Sequence, residues 1–159
     1  LDRAERDLIE ALQLQRSSAQ DKQRAYAIGI KLVKRLEDEQ GGLSADKRKI
    51  LVDVTVRLGD ICFEDGRFEE AFGWYQKGGR LSAGLLDSIW VYLQLGRCAS
   101  ALGRISEARS FFKHGRTLLS RLPDNVLISG ELKSSWEKKF DFFEKNIGSQ
   151  GLKALKKSS

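Results

Sequence analysis

The chain has 159 residues and a net charge of +6, with one His, two Cys and one Pro. That length suits a single domain with a sizeable core, and nothing in it approaches the run of about 20 apolar residues needed to span a membrane. No signal-peptide pattern opens it, and one His with two well-separated Cys excludes a zinc site. Leu1 begins the sequence and no Met occurs anywhere, the pattern of a segment excised from a longer protein or of a processed chain.

Hydrophobic spacing and punctuation give about seven helices in chain order, and the scarcity of Pro and of alternating β-branched runs makes the chain all-α. Asp2 with Glu5 forms a capping pair for a first helix through Leu8, Ile9 and Leu12, ending near Arg16 or Ser17. A second helix carries Ala25, Ile28, Leu32, Val33 and Leu36. Gly41-Gly42 breaks the chain, and Ser44 caps a third helix that runs to about Glu64. The fourth spans Phe68 to Leu81, the fifth Asp87 to Leu102, and the sixth runs from Ile105 to about Leu122, where Pro123-Asp124 stops it. A seventh, Ser129 to Asn146, has Leu132, Trp136, Phe140 and Phe143 on one face and Lys138, Lys139, Asp141 and Glu144 to present to solvent. Residues 148–159 read as a flexible basic tail with Lys153, Lys156 and Lys157, leaving 1–147 as the folded domain.

The third to sixth helices contain an internal duplication. Leu58 to Ala71 aligns without a gap on Leu95 to Ala108, at an offset of 37 residues, and the register continues through Tyr75 on Phe112, Gly78 on Gly115 and Leu81 on Leu118. Leu58-Gly59, Gly66, Phe68, Ala71, Tyr75 and Gly78, and again Leu95-Gly96, Gly103, Ile105, Ala108, Phe112 and Gly115, carry the pattern. With it the chain resembles the tetratricopeptide repeat (TPR) family, with clear units at residues 52–85 and 89–122 and degenerate flanking helices. Each residue type has a steric reason: Gly59 and Gly96 admit a close helix, Gly66 and Gly103 supply the left-handed backbone that ends one, and Ala71 and Ala108 sit at helix crossings. Tyr75 and Phe112 fill the space between. The sequence departs from the family at Thr55, where Trp is usual, at Ala83 and Ser120, where Pro closes a unit, and in a spacing longer than the usual ~34. The extra residues fall at Ser82 to Leu86. The resemblance implies a right-handed superhelical stack of antiparallel helical hairpins whose concave groove binds a partner protein.

The first helix of each pair lines that groove in the family, and spacings of three and four select Asp53, Val56, Asp60 and Phe63, then Trp90, Leu93, Arg97 and Ser100. Trp90 has two readings, core packing among Ile89, Tyr92 and Leu93, or an interface anchor. Arg97 replaces Asp60 at the equivalent place, and the two could neutralise each other across adjacent helices. Family members that clamp acidic chaperone tails carry Asn after the Leu-Gly pair; Asp60 and Arg97 there argue against a carboxylate clamp. Residues 51–82 hold four Lys/Arg against six Asp/Glu and residues 83–122 hold six against two, so one repeat is mildly acidic and the next basic. Arg109, Lys113 and Arg116 form a basic stripe that is either a solvated face or a contact for nucleic acid or another polyanion.

Nothing in the sequence has the spacing of catalysis: His114 lies on a helix surface or edge, and no glycine-rich phosphate loop follows a strand. Cys62 and Cys98 read as buried, reduced thiols, which points to a cytosolic or nuclear setting. The expectation is an interaction module or scaffold with no enzyme activity, no cofactor and no metal, binding another protein and no membrane. Polyanion binding, or docking within a larger enzyme, are the alternatives.

Overall fold

The computed structural model describes residues 3, 7, 19–39, 41–82, 84–128 and 130–147. Of the expected first helix only Arg3 and Asp7 fall within these, both helical, and the expected basic tail lies outside them. The protein is all-α in class, with six bounded helices and a two-stranded sheet among the described residues. It divides into two compact units, Leu1–Ser82 and Ala83–Ser159.

The first unit contains α1 (Ala19–Glu37), α2 (Ala45–Glu64) and α3 (Phe68–Leu81). Gly41 and Gly42 separate α1 from α2 with φ of 87° and 84°, and the Ser44 hydroxyl accepts from the Lys47 amide to start α2. Leu32, Val33 and Leu36 of α1 meet Leu51, Val54 and Leu58 of α2 in a buried cluster flanked by Tyr26, Ile50, Trp74 and Leu81. Arg48 donates from Nε to the Leu81 carbonyl at 3.0 Å, which ties the start of α2 to the end of α3.

The second unit contains α4 (Leu85–Ala101), α5 (Ile105–Ser120), the strands β1 (Leu127–Ile128) and β2 (Glu131–Leu132), and α6 (Lys133–Lys145). The strands pair antiparallel, Leu127 opposite Leu132 and Ile128 opposite Glu131, around a turn with Gly130 at φ 80°. This hairpin takes the first turn of the expected seventh helix. The buried Trp136 indole needs an acceptor, and the Ile128 carbonyl provides one at 2.9 Å. Leu132 is accordingly on a strand and half exposed, not on the apolar face of α6; Trp136 and Phe140 on that face are buried. Phe140 meets Phe112 of α5 edge to face at 6.3 Å.

The hairpins α2–α3 and α4–α5 are built alike, each within its own unit. Gly66 and Gly103 have φ of 77° and 76°. In the first turn the Gly66 and Arg67 amides donate to the Phe63 and Cys62 carbonyls, and in the second Gly103 and Arg104 donate to Ser100 and Ala99. Both turns are Schellman motifs, which satisfy the last carbonyls of a helix with backbone alone. A Cβ placed on Gly59 would lie 2.7 Å from the Tyr75 ring, and one on Gly96 would meet the Phe112 ring inside 3.0 Å. Ala71 and Ala108 are both fully buried beside these contacts. The added length at Ser82 to Leu86, expected as a longer linker or an extra helical turn, is helical in part, since α4 begins at Leu85, two residues before Asp87.

Glycines that look alike in sequence should therefore respond with opposite signs to alanine. Gly96→Ala forces a methyl group into the Phe112 ring and should cost about 1–3 kcal/mol. Gly73→Ala, in the exposed interior of α3 with nothing within 4 Å, should stabilise by roughly 0.5–1 kcal/mol through helix propensity. Urea midpoints of the two variants check this.

Candidate partner-binding faces

On α2 the expected residues share one face. Asp53 is exposed, and Val56, Asp60 and Phe63 are half buried. Phe63 packs edge to face on Phe68 across the hairpin turn at 5.0 Å. Val56 leans over the crossing with α3, where a Cβ on Gly78 would come within 3.3 Å of its Cγ2. Asp60 accepts the Tyr75 hydroxyl at 2.5 Å, so this carboxylate anchors α3 as well as facing outward.

On α4 the expected face is interrupted. Leu93 and Ser100 are 3% and 0% exposed, so neither lines an accessible surface. The reason is that α4 is buried nearly all round, with Ile89, Val91, Leu95, Cys98 and Ala99 also inside, as happens to a helix enclosed by neighbours. Trp90 and Arg97 are half buried. The Arg97 guanidinium donates to Gln94 Oε1 at 2.9 Å and lies 4.7 Å over the Phe143 ring of α6. Phe112, which stands where Tyr75 stands in the first hairpin, has no hydroxyl to offer a carboxylate at that position.

The basic stripe is broken as well. Arg109 and Lys113 are exposed on α5, but Arg116 bridges to Asp141 at 2.8 Å and to Glu144 on α6. Those two carboxylates, expected to face solvent on the last helix, are both more than a third exposed, and they also serve Arg116 as counter-ions. Lys139 pairs with Glu131 and lies 4.5 Å over Trp136, while Lys138 stays exposed. His114 is exposed and stacks on Tyr92 at 4.3 Å. Among the described residues no group of His, Cys, Asp and Glu could hold a metal ion, and no helix is long and apolar enough to cross a membrane.

Sequence reasoning missed a polar cluster in the first unit. The Trp74 indole donates to the Tyr26 hydroxyl at 3.3 Å, and the two rings meet edge to face at 6.4 Å. Arg67 lies 5.0 Å over the Tyr26 ring and bridges to Glu70 at 2.8 Å and Asp65 at 3.3 Å. The Cys62 thiol sits 3.9 Å from the Glu70 carboxylate. Burial pushes the Cys62 thiol above its ordinary value, with Arg67 opposing, and burial likewise raises the Tyr26 phenol against the Trp74 hydrogen bond. These six residues come from three helices and the turn between α2 and α3, and although Arg67 and Glu70 are a local pair, no local spacing brings Tyr26 to the others; the Trp74 side chain, three residues after Ala71, was the available signal.

Compared with known proteins, the chain matches no family model, no curated protein and no solved structure.

Cys62 and Cys98 are both fully buried and neither is in a disulfide, so labelling by a thiol reagent without denaturant should be slow and should follow opening of the fold. The folded state holds the Cys62 and Tyr26 protons more tightly than the unfolded chain does. Stability from this cluster is therefore complete below the ordinary thiol range and is lost as pH rises through the raised values. Melting temperature should fall as pH rises above about 9, where the thiol of the unfolded chain begins to ionise, and further above about 10, where the phenol does; the slope should be shallower in a Cys62→Ala, Tyr26→Phe double variant.

Proposed function

We propose that this chain is a protein–protein interaction module of the TPR kind, acting as a scaffold or adaptor through its helical hairpins. The observation that carries the reading is the repeated plan of α2–α3 and α4–α5, with the same glycine–aromatic crossing and the same Schellman turn in both. Duplicated hairpins that differ in surface charge and repeat one internal packing plan serve to present surfaces in series. In this reading they form a right-handed superhelical stack, and a segment or helix of a partner lies against the first helix of each.

The half-buried Val56, Phe63 and Trp90 supply apolar anchoring, and Asp53, Asp60 and Arg97 supply orientation. Leu93 and Ser100 take no part, being inside the fold. Arg97 is suited to the role because Phe143 and Gln94 hold its guanidinium in place, which lowers the entropy lost on binding. The polyanion reading through Arg109, Lys113 and Arg116 is weaker, since Arg116 already has Asp141 and Glu144 as counter-ions.

Two variants separate these readings in a capture experiment scored by mass spectrometry. Trp90→Phe with Arg97→Glu should weaken binding of a captured partner by well over about tenfold while helical content is kept, because central anchors carry most interface energy. Arg109→Glu with Lys113→Glu should alter mainly association rate and salt sensitivity. A partner held normally by the first variant and lost by the second, with a steep salt dependence, would move the function to the basic face.

A further inference from the structure

The first unit has an open cavity of about 760 Å³ at the end of α1, a volume in the range of small-molecule sites. Five of its lining residues are cationic, Arg3, Lys31, Lys34, Arg35 and Lys47, and they come from three separate stretches of chain. A helix C-terminus accounts for some of this charge, since Lys34 and Arg35 stand in the last turn of α1 and complement its dipole. It does not account for Lys31 one turn earlier, or for Arg3 and Lys47 arriving from elsewhere.

Two carboxylates, Asp38 and Glu39, share the lining. Glu39 is paired with Lys47, and Arg35 is 3.2 Å from Asp7. Among the described residues, no carboxylate stands within the 4.0 Å of an ion pair from Arg3, Lys31 or Lys34. Lys31, Lys34 and Arg35 repel one another on one helical face at spacings of three and four. Among the described lining residues, cations outnumber carboxylates five to two, and an excess of that sign around a concavity is the arrangement an anionic ligand completes.

We infer that this cavity binds a compact small molecule bearing several phosphates. One inorganic ion would reach only one or two of the cations around so wide a space, whereas clustered phosphates meet Arg3 through paired N–H donors and Lys31 and Lys34 as point charges. A single carboxylate would gain less and would stand beside Asp38 and Glu39. None of the proposed partner-binding residues lines the cavity, and the inference does not depend on that reading.

Inorganic tripolyphosphate serves as the probe, titrated by calorimetry into the full chain at fixed ionic strength. The expected result is saturable binding of one molecule per chain, orthophosphate at least tenfold weaker, and a rise in melting temperature with ligand. Lys31→Gln with Lys34→Gln should lower the affinity at least about tenfold, each lost charged contact counting separately. Arg109→Gln with Lys113→Gln should leave it within about twofold, because neither residue lines the cavity. Lys31 and Lys34 are exposed, so the variant should keep the urea midpoint of the parent; Arg3→Gln provides a second, independent loss of affinity. Equal weakening by both pairs, or a signal that never saturates, would reduce the effect to net charge and overturn the site. Tighter binding of a single-stranded oligonucleotide, lost in the same Lys31 and Lys34 variant, would overturn it in favour of an extended polyanion.

Discussion

In each hairpin an aromatic ring lies on bare backbone, Tyr75 on Gly59 and Phe112 on Gly96, and the other features of the hairpin follow from that contact. The ring occupies the volume a side chain would need, so the two helices approach as closely as the ring's thickness allows. Ala71 and Ala108, one turn before each ring, are fully buried, so a larger side chain there would have to displace packed neighbours. The turn must also reverse the chain within a few residues, and the left-handed glycine with its two backbone hydrogen bonds does this without any side chain. Neither α3 nor α5 has a side-chain cap at its start, Arg67 and Arg104 making no such bond. The turn holds its shape through main-chain geometry, and the residues flanking it are left to other work: Arg67 is spent on Tyr26, Glu70 and Asp65.

What was legible in the sequence was whatever depends on neighbours in the chain. Ser44 capping α2, the span Phe68 to Leu81, and the glycines that end α2 and α4 are local statements about backbone, and the structure places them where the spacing does. The β1–β2 hairpin escaped because two-residue strands are too short to display a period, and because the need for it arises from Trp136, whose indole seeks an acceptor eight residues back. The face of α4 was misjudged for a different reason. Spacing identifies residues that share a side of a helix but does not say how many sides are covered, and α4 is covered on most of them, which takes Leu93 and Ser100 inside.

Charge was the least legible property. Arg97, Arg116, Asp141 and Glu144 each looked like solvent-facing groups, and each has a partner brought by tertiary structure: Phe143 for Arg97, and two carboxylates for Arg116. These pairs are more than a third exposed for the most part and add little stability. Their larger effect is to fix where charges point. Residues that carry a candidate surface are thereby held in position before any partner arrives.

The hydroxyl of Tyr75 sets the two hairpins apart. It donates to Asp60, and at the matching places the second hairpin has Phe112 and Arg97. A phenol there without a carboxylate would be a buried donor lacking its acceptor, and a carboxylate without the phenol would lose the group that orients it. The two positions therefore act as one coupled pair: replacing either member alone leaves the other without its partner, so their contributions are not additive. A packing contact inside the first hairpin thereby holds one acidic group at its surface, where the second hairpin carries Arg97 instead.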